Sequence, residues 1–304
     1  MNGIEALFAF KDISTQVYGV WKNAITNDSE ESRAEISRLL ERNLNELTVT
    51  SYQTQGFRAR VVYTADIAKL VVNDGDDWFN RGDLFSGRSG INGFPADEMG
   101  PPPESKAGAS RANRENVSYL YLASDVQTAC AEVQPLCESL ISVIEFQVKK
   151  GLSLIDFRTI PNDLRSFTDK DDPDKLIDIV FCQSLLKFFS IPVSAREQQL
   201  YCFSQYIAEI LKDRGIDGIL YSSSHNYSDN AHNLVLFDPN NAECVQDYGE
   251  LYACLSIKSS FQSVSVNYRN DNLRILEAER RTDPYLWNNT AMLAKEIKEF
   301  RNKE

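Results

Sequence analysis

The amino-acid sequence predicts an α+β fold in which helices flank a mixed or antiparallel β-sheet. Strand-like and helix-like patterns are interspersed with few strict strand–helix–strand alternations, and several strand-like segments follow one another late in the chain. This order is typical of α+β proteins and not of a doubly wound parallel sheet. Neither G-x-G-x-x-G nor G-x-x-x-x-G-K followed by Ser or Thr occurs. The sequence therefore supports neither a Rossmann nor a P-loop mode of nucleotide binding.

Composition narrows the class of protein and its partners. The 304 residues are 42% hydrophobic and 25% charged, as expected for a globular protein of one or two domains. The net charge of −12 makes nucleic acid a poor partner. The N-terminus has no basic leader, and no apolar run approaches the roughly 18 residues that span a bilayer. We therefore expect a cytoplasmic protein with no membrane contact.

The cysteines and histidines indicate neither a disulfide framework nor a metal site. None of the six cysteines has C-x-x-C spacing, and most lie within apolar runs. This pattern is typical of buried free thiols in a reducing compartment. With two histidines in the chain, a His/Cys metal site is disfavoured, and no metal is expected.

Three parts are predicted along the chain. Residues 1–50 form a helical segment, in which Ser32-x-x-Glu35 reads as a capping box and Ile36, Leu39, Leu40, Leu44 and Leu47 recur at helical spacing. That apolar stripe is expected to pack on the main body or on another protein. Residues 51–270 form the main domain, which begins where the pattern changes to alternation. Residues 271–304 form a charged, helical tail.

The main domain is predicted to contain strands, helices and one long loop. Residues 74–106 are irregular and rich in Gly, Asp and Pro, as functional or mobile loops often are. Helices are predicted from residue 171 to about 189 and over 197–214, the second ended by Gly215. Strands are predicted over residues 117–124, 140–148, 152–157, 216–222, 233–237, 251–257 and 264–268.

Three segments together resemble a known family. The longest, Gly100 to Pro135, combines a proline-rich approach, an isolated Arg-x-Asn, a short strand and a helix with one carboxylate. Phe57-Arg58-Ala59-Arg60 precedes it, and Gly215 to Ser224, then Asn233 to Phe237, follow it. In this order and spacing the segments resemble the RES domain family, bacterial toxins that degrade NAD+ on an ADP-ribosyltransferase-like fold.

The resemblance implies an activity and a partner. NAD+ would be the substrate, cleaved at the nicotinamide–ribose bond by hydrolysis or by phosphorolysis with phosphate as co-substrate, and no cofactor is implied. A mono-ADP-ribosyltransferase and a non-catalytic binding module on the same fold are the alternatives. An Xre-type antitoxin would be the protein partner. The N-terminal 50 residues complete the core or serve a sensing or homo-oligomer contact, and the sequence leaves these alternatives open.

Cleavage of this bond passes through an oxocarbenium-like state and releases a neutral nicotinamide, so a general acid is dispensable. A cationic clamp on the pyrophosphate, a wall that positions the ribose and a carboxylate near the developing positive charge would all assist. In the family's order, Arg111 is the clamp, Tyr121 the wall and Glu132 the catalytic carboxylate. From local sequence alone, Arg111 could instead be a solvated loop arginine, Tyr121 a core residue and Glu132 a solvent-facing helix residue. The helix that carries Glu132 is predicted to be capped by Ser124 or Asp125.

Four further residues are predicted to bind NAD+. Arg58 matches the family's early strand arginine, although Arg60 lies on the same predicted strand face and is the alternative. Asn113 would fix the turn that carries Arg111. Ser223 aligns best among Ser222, Ser223 and Ser224. Asn233 would tether the loop after that serine or simply begin the next strand. Asn116 stands where the family often has glycine, and asparagine tolerates the left-handed conformation better than most residues.

Overall fold

The computed structural model describes residues 30–70, 92–159, 173–190, 201–226, 228, 230–257, 265–269 and 272–277. The chain divides into two compact units, Met1–Ser256 and Ile257–Glu304. Residues 1–29, most of the predicted irregular loop and the tail from residue 278 onward lie outside the described residues. Within the described segments, none of the helices combines the length and apolar character needed to cross a membrane.

The first unit is an α+β structure, as predicted. Its helices are α1 (Glu30–Leu47), α2 (Val126–Glu132), α3 (Pro173–Ser190) and α4 (Cys202–Asp213). Its strands are β1 (Thr48–Val49), β2 (Gln55–Val62), β3 (Leu120–Ala123), β4 (Leu140–Val148), β5 (Leu154–Asp156), β6 (Gly218–Ser222), β7 (His232–Leu236), β8 (Ala242–Cys244) and β9 (Glu250–Ala253). Short 3₁₀ turns occupy Thr64–Lys69, Ala96–Glu98, Glu104–Lys106 and Pro239–Asn241.

These strands form one mixed, mostly antiparallel sheet. The strand order is β1-β5-β6-β7-β3-β2-β4-β8, and β9 also pairs with β4. The pairing of β5 with β6 is parallel, whereas the other described pairings in this sheet are antiparallel. The join between β2 and β3 is a single residue pair, Phe57 with Ala123.

The two faces of the sheet bury different clusters. Ile219, Tyr221 and Val235 lie on one face, in a cluster with residues of α1, α3 and α4. Ala123 lies on that face too, because it pairs with Asn233 two residues before Val235, and α2 packs beside it. The other face buries a leucine-rich cluster around Phe94 and Met99.

The N-terminal helix packs on the main body, which was one of the two predicted alternatives. Ile36, Leu39, Leu40 and Leu47 are buried in the cluster that also contains Phe181. The capping-box prediction is wrong, because Ser32 already lies inside α1, which includes Glu30 and Glu31.

Two glycines near β6 have conformational reasons to be glycine. Gly215 has φ +77°, a left-handed conformation that ends a helix without the steric cost of a side chain. It follows Arg214, the residue that caps the C-terminal end of α4, at the position predicted to end this helix. Gly218 lies so close to the carbonyl oxygen of Val235 on β7 that a Cβ atom would collide with it. The absence of a side chain at Gly218 therefore lets β6 and β7 pair at this point.

The second unit contains a β-hairpin. Strands β10 (Ser265–Arg269) and β11 (Asn272–Glu277) pair antiparallel, with Arg269 opposite Asn272. The prediction that the tail is helical from residue 272 is therefore wrong for residues 272–277. The sequence there alternates Leu273 and Ile275 with polar residues, which is the period of a strand.

Candidate active site

Glu132 is the last residue of α2, and its carboxylate is held by two polar side chains. Its Oε1 accepts a hydrogen bond of 2.6 Å from the Ser223 hydroxyl and one of 2.7 Å from the Asn233 amide. Ser223 directly follows β6, and Asn233 lies in the neighbouring strand β7. Three residues predicted from separate segments of the chain are therefore in direct contact.

The serine is itself fixed by the turn that follows it. Ser223 Oγ accepts hydrogen bonds from the backbone N–H groups of His225, at 3.2 Å, and Asn226, at 3.0 Å. Because its acceptor side is occupied in this way, the hydroxyl hydrogen points to Glu132. Ser222 and Ser224 make no such contact with Glu132 in the described structure, so Ser223 is the one of the three candidate serines that reaches the carboxylate.

The first turn of α2 is tied to the same turn after β6. Asp125 caps the helix, accepting hydrogen bonds from the Thr128 backbone at 2.8 Å and the Thr128 hydroxyl at 2.6 Å. Asn226 donates in turn to the Thr128 hydroxyl at 2.9 Å. Burial tends to raise the pKa of Asp125, but the hydrogen bonds from Thr128 and Ser124 outweigh burial and leave that pKa lowered. Both ends of α2 are therefore anchored to one short segment.

Arg111 is buried, with 6% of its surface exposed, so it is not a solvated loop arginine. Its guanidinium donates to the Phe189 carbonyl and, at 3.3 Å, to the Ser224 hydroxyl. The guanidinium carbon lies 5.1 Å from the ring centre of Tyr221 and 5.7 Å from that of Tyr201. Among the residues that the structure describes, no carboxylate lies within ion-pair distance of Arg111. A buried cation without a carboxylate partner is costly unless another anion approaches it.

The loop that carries Arg111 is held by Tyr121 and Asn113. The Tyr121 hydroxyl donates to Asn113 Oδ1 at 2.7 Å and accepts from the backbone N–H of Ala112 at 3.0 Å. Burial raises the pKa of Tyr121 to about 12, so this hydroxyl stays protonated and can donate. Tyr121, which is partly buried against the core, therefore positions the loop through these two hydrogen bonds.

Backbone contacts complete the loop. The Asn113 amide donates to the carbonyls of Gly108 at 2.9 Å and Val117 at 2.8 Å. Asn116 has φ +65°, consistent with the tolerance expected of asparagine at a position where the family often has glycine. Gln205 on α4 donates to the carbonyls of Ser110 and Asn113, and no local sequence signal identified this glutamine.

Arg58 lies on the opposite face of the sheet from Glu132. In the register of β2 and β4 it stands beside Ile144, which belongs to the leucine-rich cluster. Its guanidinium donates to the backbone carbonyl of Tyr121 at 3.2 Å, and burial lowers its pKa. The structure therefore does not bring Arg58 to the carboxylate, because alternation along β2 directs its side chain to the other side.

Arg60 shares the face of Arg58, as predicted from alternation. Its guanidinium contacts the Glu98 carboxylate at 3.3 Å and lies 4.3 Å from the ring centre of Phe94. Arg60 is therefore part of a surface ion pair and does not approach Glu132 either.

Comparison with known protein families identifies the family of this chain. The RES domain family matches residues 89–254, more than half of the chain. This chain belongs to the RES domain family. The RES match contains Arg111, Tyr121, Glu132, Ser223 and Asn233, and Arg58 lies outside it.

Comparisons with individual proteins add little to the RES assignment. A solved structure that matches is the crystal structure of the M. tuberculosis MbcT–MbcA toxin–antitoxin complex. The identity is 11% and the TM-score 0.36, over 71% of this chain and 91% of that chain. No curated protein matches.

Tyr221 was not among the predicted site residues, and Ser224 was named only as an alternative to Ser223. Tyr221 faces Arg111, and Ser224 accepts its hydrogen bond. Both belong to the Gly215 to Ser224 segment that carries the family resemblance. The resemblance therefore indicated that this segment contributes to the site, but it did not show which of its residues contact Arg111.

Proposed function

We propose that this chain cleaves the bond between nicotinamide and ribose in NAD+. The observation that carries this proposal is the Glu132 carboxylate, held by two donors and linked through adjacent serines to a buried arginine. Ser223 contacts Glu132 and Ser224 contacts Arg111. The Glu132 carboxylate and the Arg111 guanidinium thus lie beside the same short turn. The guanidinium suits the pyrophosphate of NAD+, and the carboxylate suits the positive charge that develops on the ribose.

Glu132 would stabilise the positive charge that develops on the ribose. Both described hydrogen bonds to its carboxylate reach Oε1, and no described residue hydrogen-bonds to Oε2. A carboxylate that is oriented before the substrate arrives stabilises a transition-state cation without reorganisation at the moment of reaction. The ground-state substrate gains less, so the effect appears mainly in turnover.

Arg111 would hold the pyrophosphate. Two hydrogen bonds to described residues use part of its five N–H donors, and the planar guanidinium suits two phosphate oxygens at once. A ligand pyrophosphate would supply the anion that the described residues do not place beside this cation. Tyr121 and Asn113 contribute by fixing the loop on which Arg111 lies.

The chemical step is a substitution at the anomeric carbon. The bond from that carbon to the pyridinium nitrogen breaks, and its electron pair leaves with nicotinamide as a neutral molecule. An oxygen of phosphate or water forms the new bond, giving ADP-ribose-1″-phosphate or ADP-ribose. In hydrolysis the attacking water loses one proton to solvent.

NAD+ consumption would make the chain a toxin, and we propose an Xre-type antitoxin as its inhibitor, as the family resemblance implies. Expression of the chain alone is expected to arrest growth and lower cellular NAD+. Coexpression with an Xre-type protein encoded beside it would restore both. Growth arrest with unchanged NAD+ would contradict this proposal.

The direct test is incubation of the purified chain with excess NAD+, with and without phosphate, followed by mass spectrometry. We expect release of nicotinamide, and the second product distinguishes phosphorolysis from hydrolysis. ADP-ribose attached to a protein or nucleic acid would instead show transfer to a macromolecule. If inhibitor-free protein releases no nicotinamide, the proposed enzyme activity is wrong.

A further inference from the structure

Tyr221 lies beside Arg111 and pairs with Asn233, whose amide binds the Glu132 carboxylate. Tyr221 is 4% exposed and pairs with Asn233 across β6 and β7, so the side chains of these two residues lie on the same face of the sheet. Its ring centre lies 5.1 Å from the guanidinium carbon of Arg111 and 6.0 Å from the ring centre of Phe189. Arg111 and Phe189 therefore both pack near this ring.

The hydroxyl of Tyr221 differs from that of Tyr121. Tyr121 donates to Asn113 and accepts from Ala112, whereas the Tyr221 hydroxyl makes no hydrogen bond to any residue that the structure describes. The Tyr221 hydroxyl is also not among the described side-chain atoms that are fully enclosed without a partner, so it keeps a small exposed area at which a ligand hydroxyl would bind. Polar groups this deep in a protein are normally satisfied, and a reachable one in a candidate site is suited to bind a ligand.

The electrostatic surroundings keep this hydroxyl protonated. Burial raises the pKa of Tyr221, Arg111 opposes that rise, and the negative charge of Glu132 adds to it. A protonated phenol can both donate and accept one hydrogen bond, which matches a sugar hydroxyl.

We infer that the Tyr221 hydroxyl hydrogen-bonds to a hydroxyl of the ribose that carries nicotinamide. This inference rests on the proposed function, because the proposed function determines which part of NAD+ lies beside Tyr221. In NAD+ that ribose joins the pyrophosphate to the reacting carbon. If Arg111 holds the pyrophosphate and Glu132 faces the reacting carbon, the ribose lies between them, beside Tyr221.

The test compares the binding of ADP-ribose and ADP, because ADP lacks this ribose. Tyr221→Phe keeps the ring and its contact with Arg111 but removes the hydroxyl. We expect its affinity for ADP-ribose, measured by calorimetry, to fall about 2- to 12-fold, as loss of one hydrogen bond would give. Its affinity for ADP should be unchanged, and so should its melting temperature.

Tyr119→Phe is the matched control. Tyr119 is equally buried, and its ring faces Lys212 and Phe237 instead of Arg111. The control variant should bind both ligands as the wild-type protein does.

The outcomes separate this inference from the proposed reaction. Equal ADP-ribose affinity in the wild-type and Tyr221→Phe proteins, or an equal loss for ADP, overturns the role of Tyr221. Wild-type protein that binds no ADP-ribose overturns it as well. A selective loss of ADP-ribose affinity in a protein that releases no nicotinamide supports the Tyr221 contact and rejects the reaction.

Discussion

The hydroxyl of Ser223 donates a hydrogen bond of 2.6 Å to the carboxylate of Glu132, 91 residues away in the chain. This bond joins the last residue of α2 to the turn after β6. The same turn reaches the first part of α2 through Asn226 and Thr128. The carboxylate is therefore positioned by a helix and a turn that restrain each other at two points.

Glu132→Gln is expected to lower turnover of NAD+ by orders of magnitude while leaving NAD+ affinity nearly unchanged. The charge of Glu132 acts mainly on the transition state, and glutamine keeps the size of the side chain. Steady-state kinetics and calorimetry would measure the two quantities. Glu46→Gln, at an exposed position of α1, is the control and should alter stability by no more than roughly 0.5 kcal/mol. Near-normal turnover in Glu132→Gln would mean that another carboxylate is catalytic.

Ser223→Ala and Ser224→Ala are expected to have different effects. Loss of the Ser223 hydroxyl leaves Asn233 alone on the carboxylate, so turnover should fall about tenfold or more, given 1.5–3 kcal/mol for a hydrogen bond to a charged group. Loss of the Ser224 hydroxyl removes a partner of Arg111, so KM for NAD+ should change more than kcat. Ser222→Ala is the control. Identical kinetic effects of the first two variants would show that the turn acts as one unit.

Arg111→Lys should weaken NAD+ binding by about 1.5–3 kcal/mol, because lysine keeps the charge but loses the planar fork. Since Arg111 is buried and contacts Phe189 and Ser224, the melting temperature should fall as well. Arg58→Lys, on the opposite face of the sheet, is the matched control for NAD+ affinity. Calorimetry on both folded variants measures the difference. A greater loss of affinity in Arg58→Lys would reassign the pyrophosphate site.

Asp125→Ala should lower the free energy of unfolding by about 1 kcal/mol at pH 7, as loss of a helix cap does. The pKa of Asp125 is lowered in the folded protein, so its contribution is complete above the unfolded pKa of about 3.9 and is lost as the pH falls through the folded pKa. The difference in stability between the two proteins should therefore shrink below about pH 4. Urea unfolding at pH 7 and pH 3 measures it. A constant difference would show that the charge of Asp125 contributes nothing.

The sequence predicted the central strands well and the contacts between them poorly. Strand β4 occupies the predicted residues 140–148, because its apolar residues and its flanking turn signals are local. The family resemblance assigned Glu132, Ser223 and Asn233 to the site, but the contact of Glu132 with the other two was not predicted, and the local pattern favoured a solvent-facing glutamate. Arg58 was assigned to the site by the family resemblance, whereas strand alternation shows only that Arg58 and Arg60 share a face and not which face it is. That choice depends on the position of β2 in the sheet.

Gly218 has a consequence for how far this sequence can vary. A Cβ atom there would collide with the Val235 carbonyl, so any other amino acid would separate β6 from β7. Ser223 follows one of these strands and Asn233 lies in the other, and their two hydrogen bonds to Glu132 require the present spacing. In a library of all single substitutions, position 218 should therefore be as intolerant as the catalytic positions, although its residue has no chemistry of its own.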